Sequence, residues 1–434
     1  MKTKHLTLTF TALTLTALMA TSCKKDTSDN TSGTSATITI ENVLDSRPLV
    51  ESGTFMHTGS SPLIQPGESA SIQFSAAKGQ AISFVTMYGW SNDLFFAPAN
   101  PGIALYKADG TPIEGDVSSA IKLWDNGTRI NATPGENLMH PGTAETTPAT
   151  ISEVNGKDAQ GNTYAAAADL MHATLHYEGN STFTLTITNV SANTLNPTPF
   201  SPGVWAISYI AGGDLLQPSP LYKDGALSEN GLTAVAEMGD PEALSVAIKA
   251  ETGIFTPLSP VLVVVYNGID NPIFTPNAKD AGHGLTDIAQ KGDATVLSDY
   301  LKKQPGVKSV YILSASGTTV LLPKIGTDMG SSVSQKLTLE QNDKIAIATM
   351  YGFSNDWFFA NETGIDATKR GDVSESLSLY DDGTAINQFP GAGITQFNLA
   401  GTPLSEDKAI TAVPNPNSFT TLPAIKDIIR VTLN

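Results

Sequence analysis

Two pairs of acidic turns contain the residues of this chain best suited to chemistry. The first turn of each pair is a Ser-Asn-Asp tripeptide before a run of apolar and aromatic residues, and it contains Asp93 in the first copy and Asp356 in the second. The second turn contains Asp125 in the first copy, and Asp381 with Asp382 beside it in the second. Carboxylate oxygens are preferred ligands of calcium, so these five aspartates are candidate metal ligands.

The same residues have an alternative role as turn caps. The second turns, residues 125–127 and 381–383, read Asp-Asn-Gly and Asp-Asp-Gly. In such tripeptides the aspartate accepts hydrogen bonds from the following amides, and the glycine permits a positive φ. The sequence leaves both roles open.

Aromatic residues cluster around these turns. Trp90, Trp124, Trp357 and Phe358 are the candidate binding residues, because exposed rings at the edge of a β-sandwich can stack on sugar rings or peptide side chains. The alternative is that these side chains fill the hydrophobic core.

Known catalytic motifs are missing from the sequence. It has no Gly-x-Ser-x-Gly, no Gly-Lys-Ser/Thr phosphate loop and no His-Glu-x-x-His. His172 and His176 fall in a predicted strand, where about 3.3 Å per residue separates them by roughly 13 Å, too far to share a metal ion. We therefore expect a protein that is not an enzyme.

The net charge limits the classes of partner, and the cysteine count limits the kinds of covalent and metal site. The chain has 42 acidic and 25 basic residues, a net charge of −17, and no basic run. Nucleic-acid binding needs clustered lysine and arginine, so we expect no nucleic-acid partner. A single cysteine excludes internal disulfides and cysteine-based zinc or iron–sulfur sites.

That cysteine lies at the end of an export signal. Residues 1–22 have a basic start, an apolar stretch and small residues immediately before Cys23, as in bacterial lipoproteins whose new N-terminal cysteine is acylated. Residues 24–35 consist of Lys, Asp, Ser, Thr, Gly and Asn with no apolar residue, so 23–35 is predicted to be a flexible tether. We expect lipid anchoring to the outer membrane, on its periplasmic or its surface face.

The acidic and aromatic motifs belong to an internal duplication. Residues 87–97 recur as 350–360, and a shorter strand–helix repeat over 231–244 recurs as 284–297. We predict the following organisation after the tether: a first sandwich over 36–195, a strand–helix repeat unit over 196–254 and a second sandwich over 255–434.

Hydrophobic periodicity predicts the elements that position the turns. Residues 37–40 and 183–187 alternate polar and apolar side chains, as in half-buried strands. Asp240 and Asp293 are placed to cap short helices. Many short strands with a pair of small helical inserts predict a mainly-β chain built as sandwiches.

At these motifs the sequence resembles the spondin (F-spondin amino-terminal) domain family. The family pattern is Ser-x-Asp before a run of aromatics, then aromatic-Asp-x-Gly-Thr, and the chain carries it twice. The resemblance implies tandem C2-like β-sandwiches, a role in adhesion or matrix binding, and calcium held by loop aspartates. The family's aspartates correspond to Asp93 and Asp125 in the first copy and to Asp356 and Asp381 in the second.

The chain departs from the family at one further position. A family acid four residues after the second aspartate is replaced by Arg129 and Ala385. The positive charge of Arg129 disfavours a hard cation, whereas Asp382 partly compensates in the second copy. Calcium is therefore expected more readily in the second copy than in the first.

Together these features predict a lipid-anchored envelope protein for binding or adhesion, supported by calcium. Its partners would be the membrane and an extracellular protein or glycan. The alternative is a carbohydrate-binding or carbohydrate-processing envelope component in which Trp90, Trp124 and Trp357 form stacking platforms.

Overall fold

The computed structural model describes residues 34–394, 396, 399 and 401–434. The expected fold class is confirmed, because the chain is mainly antiparallel β with a few short helices. Among the described residues, no helix has the length and apolar character needed to cross a membrane.

The described elements, in chain order, fall into two halves. The first half comprises β1 (Thr34–Asn42), β2 (Leu49–Phe55), β3 (Ser69–Ser75), β4 (Ala81–Met87), β5 (Leu94–Pro98), β6 (Ile103–Ala104), β7 (Gly115–Asp116), β8 (Ile121–Asp125), β9 (Ser152–Glu153), α1 (Ala167–Leu170), β10 (Met171–Gly179), β11 (Thr182–Asn189), β12 (Gly203–Ser208), β13 (Ile210–Ala211), β14 (Asp214–Leu215), α2 (Leu232–Met238) and α3 (Glu242–Glu251). The second half comprises β15 (Val261–Tyr266), α4 (Leu285–Lys291), α5 (Thr295–Leu301), β16 (Val307–Leu313), β17 (Ser332–Leu339), β18 (Lys344–Met350), β19 (Trp357–Asn361), β20 (Ile365–Asp366), β21 (Gly371–Asp372), β22 (Leu377–Asp381), β23 (Thr411–Ala412) and β24 (Ile429–Leu433).

The strands form two copies of the same pair of sheets, and we call the two resulting units module 1 and module 2. In module 1 the smaller sheet has the order β3-β11-β10-β7 and the larger one β2-β12-β4-β5-β8-β9. In module 2 the corresponding orders are β17-β1-β24-β21 and β16-β15-β18-β19-β22-β23. The two sheets of module 1 face each other across a common core, where the rings of Phe74 and Trp205 lie 6.0 Å apart.

Helices cover the outer face of each larger sheet. In module 1, Leu232 and Val235 of α2 and Leu244 of α3 pack against Val85 and Phe95. In module 2, α4 and α5 pack in the same way on β15, β18 and β19. The central strands are therefore buried on both faces, which is why they consist of consecutive apolar residues and do not alternate.

The two predicted helix caps are present. Asp240 Oδ1 accepts a hydrogen bond from the Glu242 amide (3.0 Å), and Asp293 Oδ1 accepts one from the Thr295 amide (2.9 Å). Both are N-terminal Asx caps, so local sequence determines where α3 and α5 begin.

The sheets correct the predicted domain boundaries. Strand β1, which the sequence assigned to the first sandwich, pairs with β17 over eight residues and with β24 over five, so it belongs to module 2. Strand β12, assigned to a separate repeat unit over 196–254, lies between β2 and β4 of module 1. Alternation predicted that these segments are strands, but it carries no information on their partners.

Module 1 is thus inserted into module 2. Strand β1 fills the place in module 2 that β11 fills in module 1, and residues 49–254 lie between β1 and β15. The ends of the insertion meet, since the Gly253 amide donates to the carbonyl of Leu49 (3.0 Å). Module 1 is therefore a circular permutant of module 2.

Equivalent asparagines support this correspondence. In module 1, Asn189 Nδ2 donates to the carbonyls of Ile64 (2.8 Å) and Thr198 (2.7 Å). In module 2, the same bonds are made by Asn42 Nδ2 to Leu321 (2.9 Å) and Thr256 (2.9 Å).

The modules also contact each other directly. Tyr209 of module 1 stacks on Phe353 of module 2, with ring centroids 5.8 Å apart and planes 19° apart. Gln80 Nε2 donates to the carbonyl of Gly391 (2.9 Å), and Asn180 Nδ2 donates to that of Asn387 (3.1 Å). The loop after the second acidic turn of module 2 therefore rests on module 1.

Candidate functional site

The Ser-Asn-Asp turn of each module is held by its serine. In module 2, Ser354 Oγ donates to the Tyr351 carbonyl (2.7 Å) and accepts from the Trp357 amide (3.0 Å), which opens β19. Ser91 makes the same two hydrogen bonds in module 1. This local loop fixes the position of the following aspartate.

Asp356 is fully buried and organises the second acidic turn. Its Oδ2 accepts hydrogen bonds from the amides of Thr384 (2.8 Å) and Ala385 (2.8 Å) and from Thr384 Oγ1 (3.0 Å). Asp93 accepts the same three bonds in module 1. Both aspartates therefore act as turn caps, one of the two roles left open above.

The second aspartates are also satisfied by their own turns. Asp381 Oδ1 accepts from the Gly383 amide (2.8 Å), and its Oδ2 accepts from Asn387 Nδ2 (2.5 Å). Asp125 has equivalent bonds from the Gly127 amide (2.8 Å) and Asn131 Nδ2 (2.6 Å). Each oxygen of these two carboxylates already has a hydrogen-bond donor.

Asp382 has fewer hydrogen-bond donors than the other turn aspartates. It is fully buried, and its Oδ2 accepts only from the hydroxyls of Thr286 (3.0 Å) and Thr384 (3.2 Å). The Thr286 hydroxyl also contacts Asp280, and the Thr384 hydroxyl also contacts Asp356. Each hydroxyl has a single proton to donate, so neither is reserved for Asp382. Within the described residues Asp382 has no ion pair with a basic side chain.

Module 1 has a different set of charges at the equivalent positions. Asn126 replaces Asp382, and Arg129 replaces Ala385. Arg129 forms an ion pair with Glu237 of α2 (2.7 Å), and the α4 position equivalent to Glu237 is Gln290. Module 1 therefore contains its own cation beside the turn, whereas module 2 has an additional carboxylate.

Burial raises the pKa values of three turn aspartates. Burial, reinforced by the charge of Asp381, raises the pKa of Asp356 to about 7. Burial, reinforced by the charge of Asp280, raises the pKa of Asp382 to about 7. Burial raises the pKa of Asp93 to about 6, with Asp125 adding to the effect. Module 2 therefore holds two buried acids that titrate near neutrality.

The fit to calcium is partial. In each module two buried oxygens at equivalent positions lack a hydrogen-bond partner: Oδ1 of Asp356 and Asp382 in module 2, and Oδ1 of Asp93 and Asn126 in module 1. Only in module 2 are both of them carboxylate oxygens. However, nowhere in the described ranges do three or more acidic, histidine or cysteine side chains form a cluster able to hold a metal ion. Asp125 and Asp381 are occupied by their turns.

Three of the four candidate binding aromatics belong to the core. Trp124, Trp357 and Phe358 are 3%, 2% and 0% exposed, so they present no surface to a ligand. Phe358 and Trp124 face the helices, and Trp357 faces the opposite sheet. The binding role predicted for these three residues is corrected, because both faces of each larger sheet are covered.

Trp90 is half-buried and lines a cavity of about 350 Å³. Its amide donates to Thr198 Oγ1 (2.9 Å), and its carbonyl accepts from the Gly135 amide (3.1 Å), which fixes the backbone. The wall also includes Glu136 and His140, both exposed at the rim, and Glu237 and Met238 at the end of α2. We call this cavity the Trp90 groove.

Module 2 has a smaller cavity, about 160 Å³, at the same place. The position equivalent to Trp90 is Phe353, which is 3% exposed because Tyr209 of module 1 stacks on it. Tyr209 of module 1 therefore covers the ring that corresponds to Trp90, and Phe353 lines a separate neighbouring cavity of about 760 Å³. The equivalent lining residues are Met87 and Met350, Gly89 and Gly352, Ser201 and Ser259, and Gly239 and Gly292.

Glycine is required where α2 meets the groove. Gly239 has φ +66°, and a Cβ there would lie 2.7 Å from Cβ of Ser201. Gly292 has the same relation to Ser259. The same groove is therefore present in both modules.

Several groove residues were not predicted from the sequence. Glu136 and His140 come from a loop with no repeat signature, and Glu237 comes from the strand–helix repeat. One signal was available in the sequence. The first copy has the charged pair Arg129 and Glu237, and the second copy has the uncharged residues Ala385 and Gln290 at the same positions.

The predicted lipidation site, Cys23, lies outside the described residues. No protein-family model and no curated protein sequence matches this chain at a significant level. The resemblance to spondin domains therefore depends on the motif residues alone.

Proposed function

We propose that this protein is a lipid-anchored binding or adhesion protein of the outer membrane, built from two spondin-like sandwiches. The observation that carries the proposal is that Trp90, alone among the predicted contact aromatics, reaches an open cavity. A half-buried tryptophan beside polar and apolar walls is typical of a recognition site.

The anchor would be the acylated Cys23. Thr34 begins β1 11 residues later, and an extended segment of that length reaches at most about 40 Å. The folded part would therefore remain close to the membrane and be free to reorient. Calcium would be held by Asp356 and Asp382 of module 2, where it would supply the positive charge that Arg129 supplies in module 1.

The ligand favoured by the Trp90 groove is a glycan. An indole face beside a carboxylate (Glu136) and an imidazole (His140) offers stacking together with hydrogen bonds to hydroxyls. The neighbouring charge of Glu237 is neutralised by Arg129, so the interior does not select strongly for a cation. An extracellular protein is the alternative ligand.

The test is retention of the protein on insoluble peptidoglycan, on chitin and on collagen-coated beads. We expect retention on at least one polysaccharide, and Trp90→Ala should weaken it roughly 10- to 30-fold, equivalent to about 1.4–2 kcal/mol. Trp90→Phe, which installs the module 2 residue, should weaken it less. Met329→Ala, at a side chain that is 80% exposed in module 2, is the control and should have no effect.

The anchor is tested in parallel with Cys23→Ser. Cells making this variant should lose the protein to the soluble fraction, while the purified variant should bind the polysaccharide as before. Retention on collagen alone would replace the glycan with a protein ligand. If retention is unchanged by Trp90→Ala on all three supports, the groove is not the binding site.

A further inference from the structure

The cavity of about 760 Å³ lies where the two modules meet. Phe255 and Phe353, which are 1% and 3% exposed, form its floor, with ring centroids 5.3 Å apart. One wall is the hairpin β13–β14 with the following Leu216, and the other is the loop over residues 318–325 of module 2. We call this cavity the junction trench. Its volume is typical of small-molecule sites, which are often found at such interfaces.

The hairpin β13–β14 is an addition to module 1. It pairs with no other strand, and the segment after the equivalent strand of module 2, between β15 and α4, contains no hairpin. Its tip, Gly212–Gly213, is exposed, and a Cβ at either glycine would meet no atom within 4 Å. Neither sandwich needs this hairpin to complete a sheet, whereas the junction trench depends on it for one wall.

The walls of the junction trench are uncharged and largely apolar. None of the described residues that line it is acidic or basic, and Val320, Leu322 and Ile325 contribute apolar side chains from module 2. The two polar side chains in this wall are already satisfied. Thr318 Oγ1 donates to the Val320 carbonyl (2.8 Å), and Thr319 Oγ1 donates to the Thr318 carbonyl (2.6 Å). The lining therefore favours an apolar ligand chain over a polar one.

At one end the junction trench adjoins a cavity of about 480 Å³ that has a charged lining. The two cavities share Leu216 and Ile325, and the second one is also lined by Asp45, Arg47 and Glu251. Arg47 Nη2 lies 3.1 Å from the Asp45 carboxylate, but these side chains are 41% and 73% exposed. An exposed ion pair contributes little to stability, so the guanidinium can pair with another anion at small cost. We call these three charged residues the mouth of the trench.

The backbone at the mouth is fixed. The Arg47 amide donates to the Ile254 carbonyl (3.0 Å), and the Lys324 amide donates to the Leu44 carbonyl (3.0 Å). Leu44 itself is 2% exposed. Because the mouth is already ordered, a ligand would lose little affinity to the ordering of this backbone.

We propose that the junction trench binds a single-chain zwitterionic phospholipid, with the acyl chain between the apolar walls and the headgroup at the mouth. Arg47 pairs with the phosphate, and Asp45 and Glu251 bind the ammonium group. One cation flanked by two carboxylates complements a ligand that has both charges, whereas a fatty acid would place its carboxylate beside two others. The trench shares no described lining residue with the Trp90 groove, so this proposal is independent of the glycan ligand.

The first test is isothermal titration calorimetry of the full chain with Cys23→Ser, which has no acyl chain of its own. The ligands are lysophosphatidylethanolamines with acyl chains of 8, 10 and 12 carbons, each kept below its micelle-forming concentration. We expect affinity to rise roughly 3- to 4-fold per added methylene, because each one is removed from water by the apolar walls. No binding, or an affinity independent of chain length, would overturn the proposal.

The second test places a charge in the apolar wall. Ile325→Asp changes a side chain that is 38% exposed, and it should weaken binding of every lysophospholipid at least about 10-fold, because the acyl chain would face a carboxylate. Ile269→Asp is the matched control. Its side chain is 91% exposed and lines neither cavity, so affinity should not change. Equal affinities of the two variants would place the acyl chain elsewhere and overturn the proposal.

The third test examines the headgroup. The unsubstituted trench should bind the lysophospholipid about 10-fold more tightly than a monoacylglycerol or a fatty acid of the same chain length. Arg47→Gln should remove the advantage over the monoacylglycerol by weakening the phospholipid alone. Equal binding of the phospholipid and the fatty acid, or equal weakening of the phospholipid and the monoacylglycerol by Arg47→Gln, would show that the mouth does not recognise a zwitterion.

Discussion

Asp382→Asn is expected to stabilise module 2 at pH 8 by roughly 2–4 kcal/mol in the presence of a chelator, and to have almost no effect near pH 4. Burial raises the pKa of Asp382 to about 7, so the folded state holds a proton that the unfolded state releases at lower pH. The stability from this proton is complete below the unfolded pKa, about 3.8, and is lost as the pH rises through 7. Asparagine does not titrate, so the variant avoids this loss.

The measurement is the free energy of unfolding from denaturant titrations at pH 4, 6 and 8, resolved for module 2. Asparagine is the residue that module 1 uses at this position, so the substitution is compatible with the fold. Asp407→Asn, at a side chain 81% exposed, is the control and should change stability by less than about 0.5 kcal/mol. A variant less stable than the natural chain at pH 8 would contradict the description of Asp382 as an unpaired buried acid.

The same titration tests the calcium proposal. If Asp356 and Asp382 hold calcium, adding it at pH 8 should stabilise the natural chain by mass action and leave Asp382→Asn unchanged. An equal response of both proteins would remove these two residues from the calcium proposal.

Asn42→Ala is expected to destabilise module 2 by roughly 2–5 kcal/mol. The substitution leaves the buried carbonyls of Thr256 and Leu321 without their donor, and each unsatisfied buried group costs about 1–3 kcal/mol. Asn42 is also the last residue of β1, so its loss weakens the strand that joins β17 to β24.

The informative measurement is amide hydrogen exchange resolved by peptide. Asn42→Ala should accelerate exchange in β17 and β24, which lie about 300 and 390 positions away in sequence, and leave β3 and β10 protected. Asn189→Ala, the equivalent change in module 1, should do the reverse. Faster exchange in β3 and β10 of Asn42→Ala would show that β1 supports module 1 instead.

Much of the acidic turn could be predicted because its interactions are local. Asp381 and Gly383 are two residues apart, and Asp240 caps a helix that begins at Glu242. Such hydrogen bonds follow from short-range geometry, so the residue types at fixed spacing suffice. The buried state of Asp382 could not be predicted in this way, because it depends on Thr286 and Asp280 of the distant α4 region.

The sequence pattern of the aromatic runs already favoured burial. Residues 94–96 and 357–359 are consecutive apolar residues, a pattern typical of strands covered on both faces, whereas half-exposed strands alternate. The sequence could not predict that Trp90 remains half-buried while the other candidate aromatics are fully buried. Its exposure depends on the loop carrying Glu136 and on the absence of a cover like the one Tyr209 forms over Phe353.

By itself the sequence determined the duplication, the mainly-β class and most strand and cap positions, since periodicity and turn chemistry act over a few residues. Only the tertiary structure decided that β1 completes module 2, that module 1 is inserted between β1 and β15, and that the groove beside Trp90 is the larger of two equivalent grooves. Strand pairing joins backbones through hydrogen bonds that are nearly independent of side-chain identity, so partner choice is settled by how the whole chain packs.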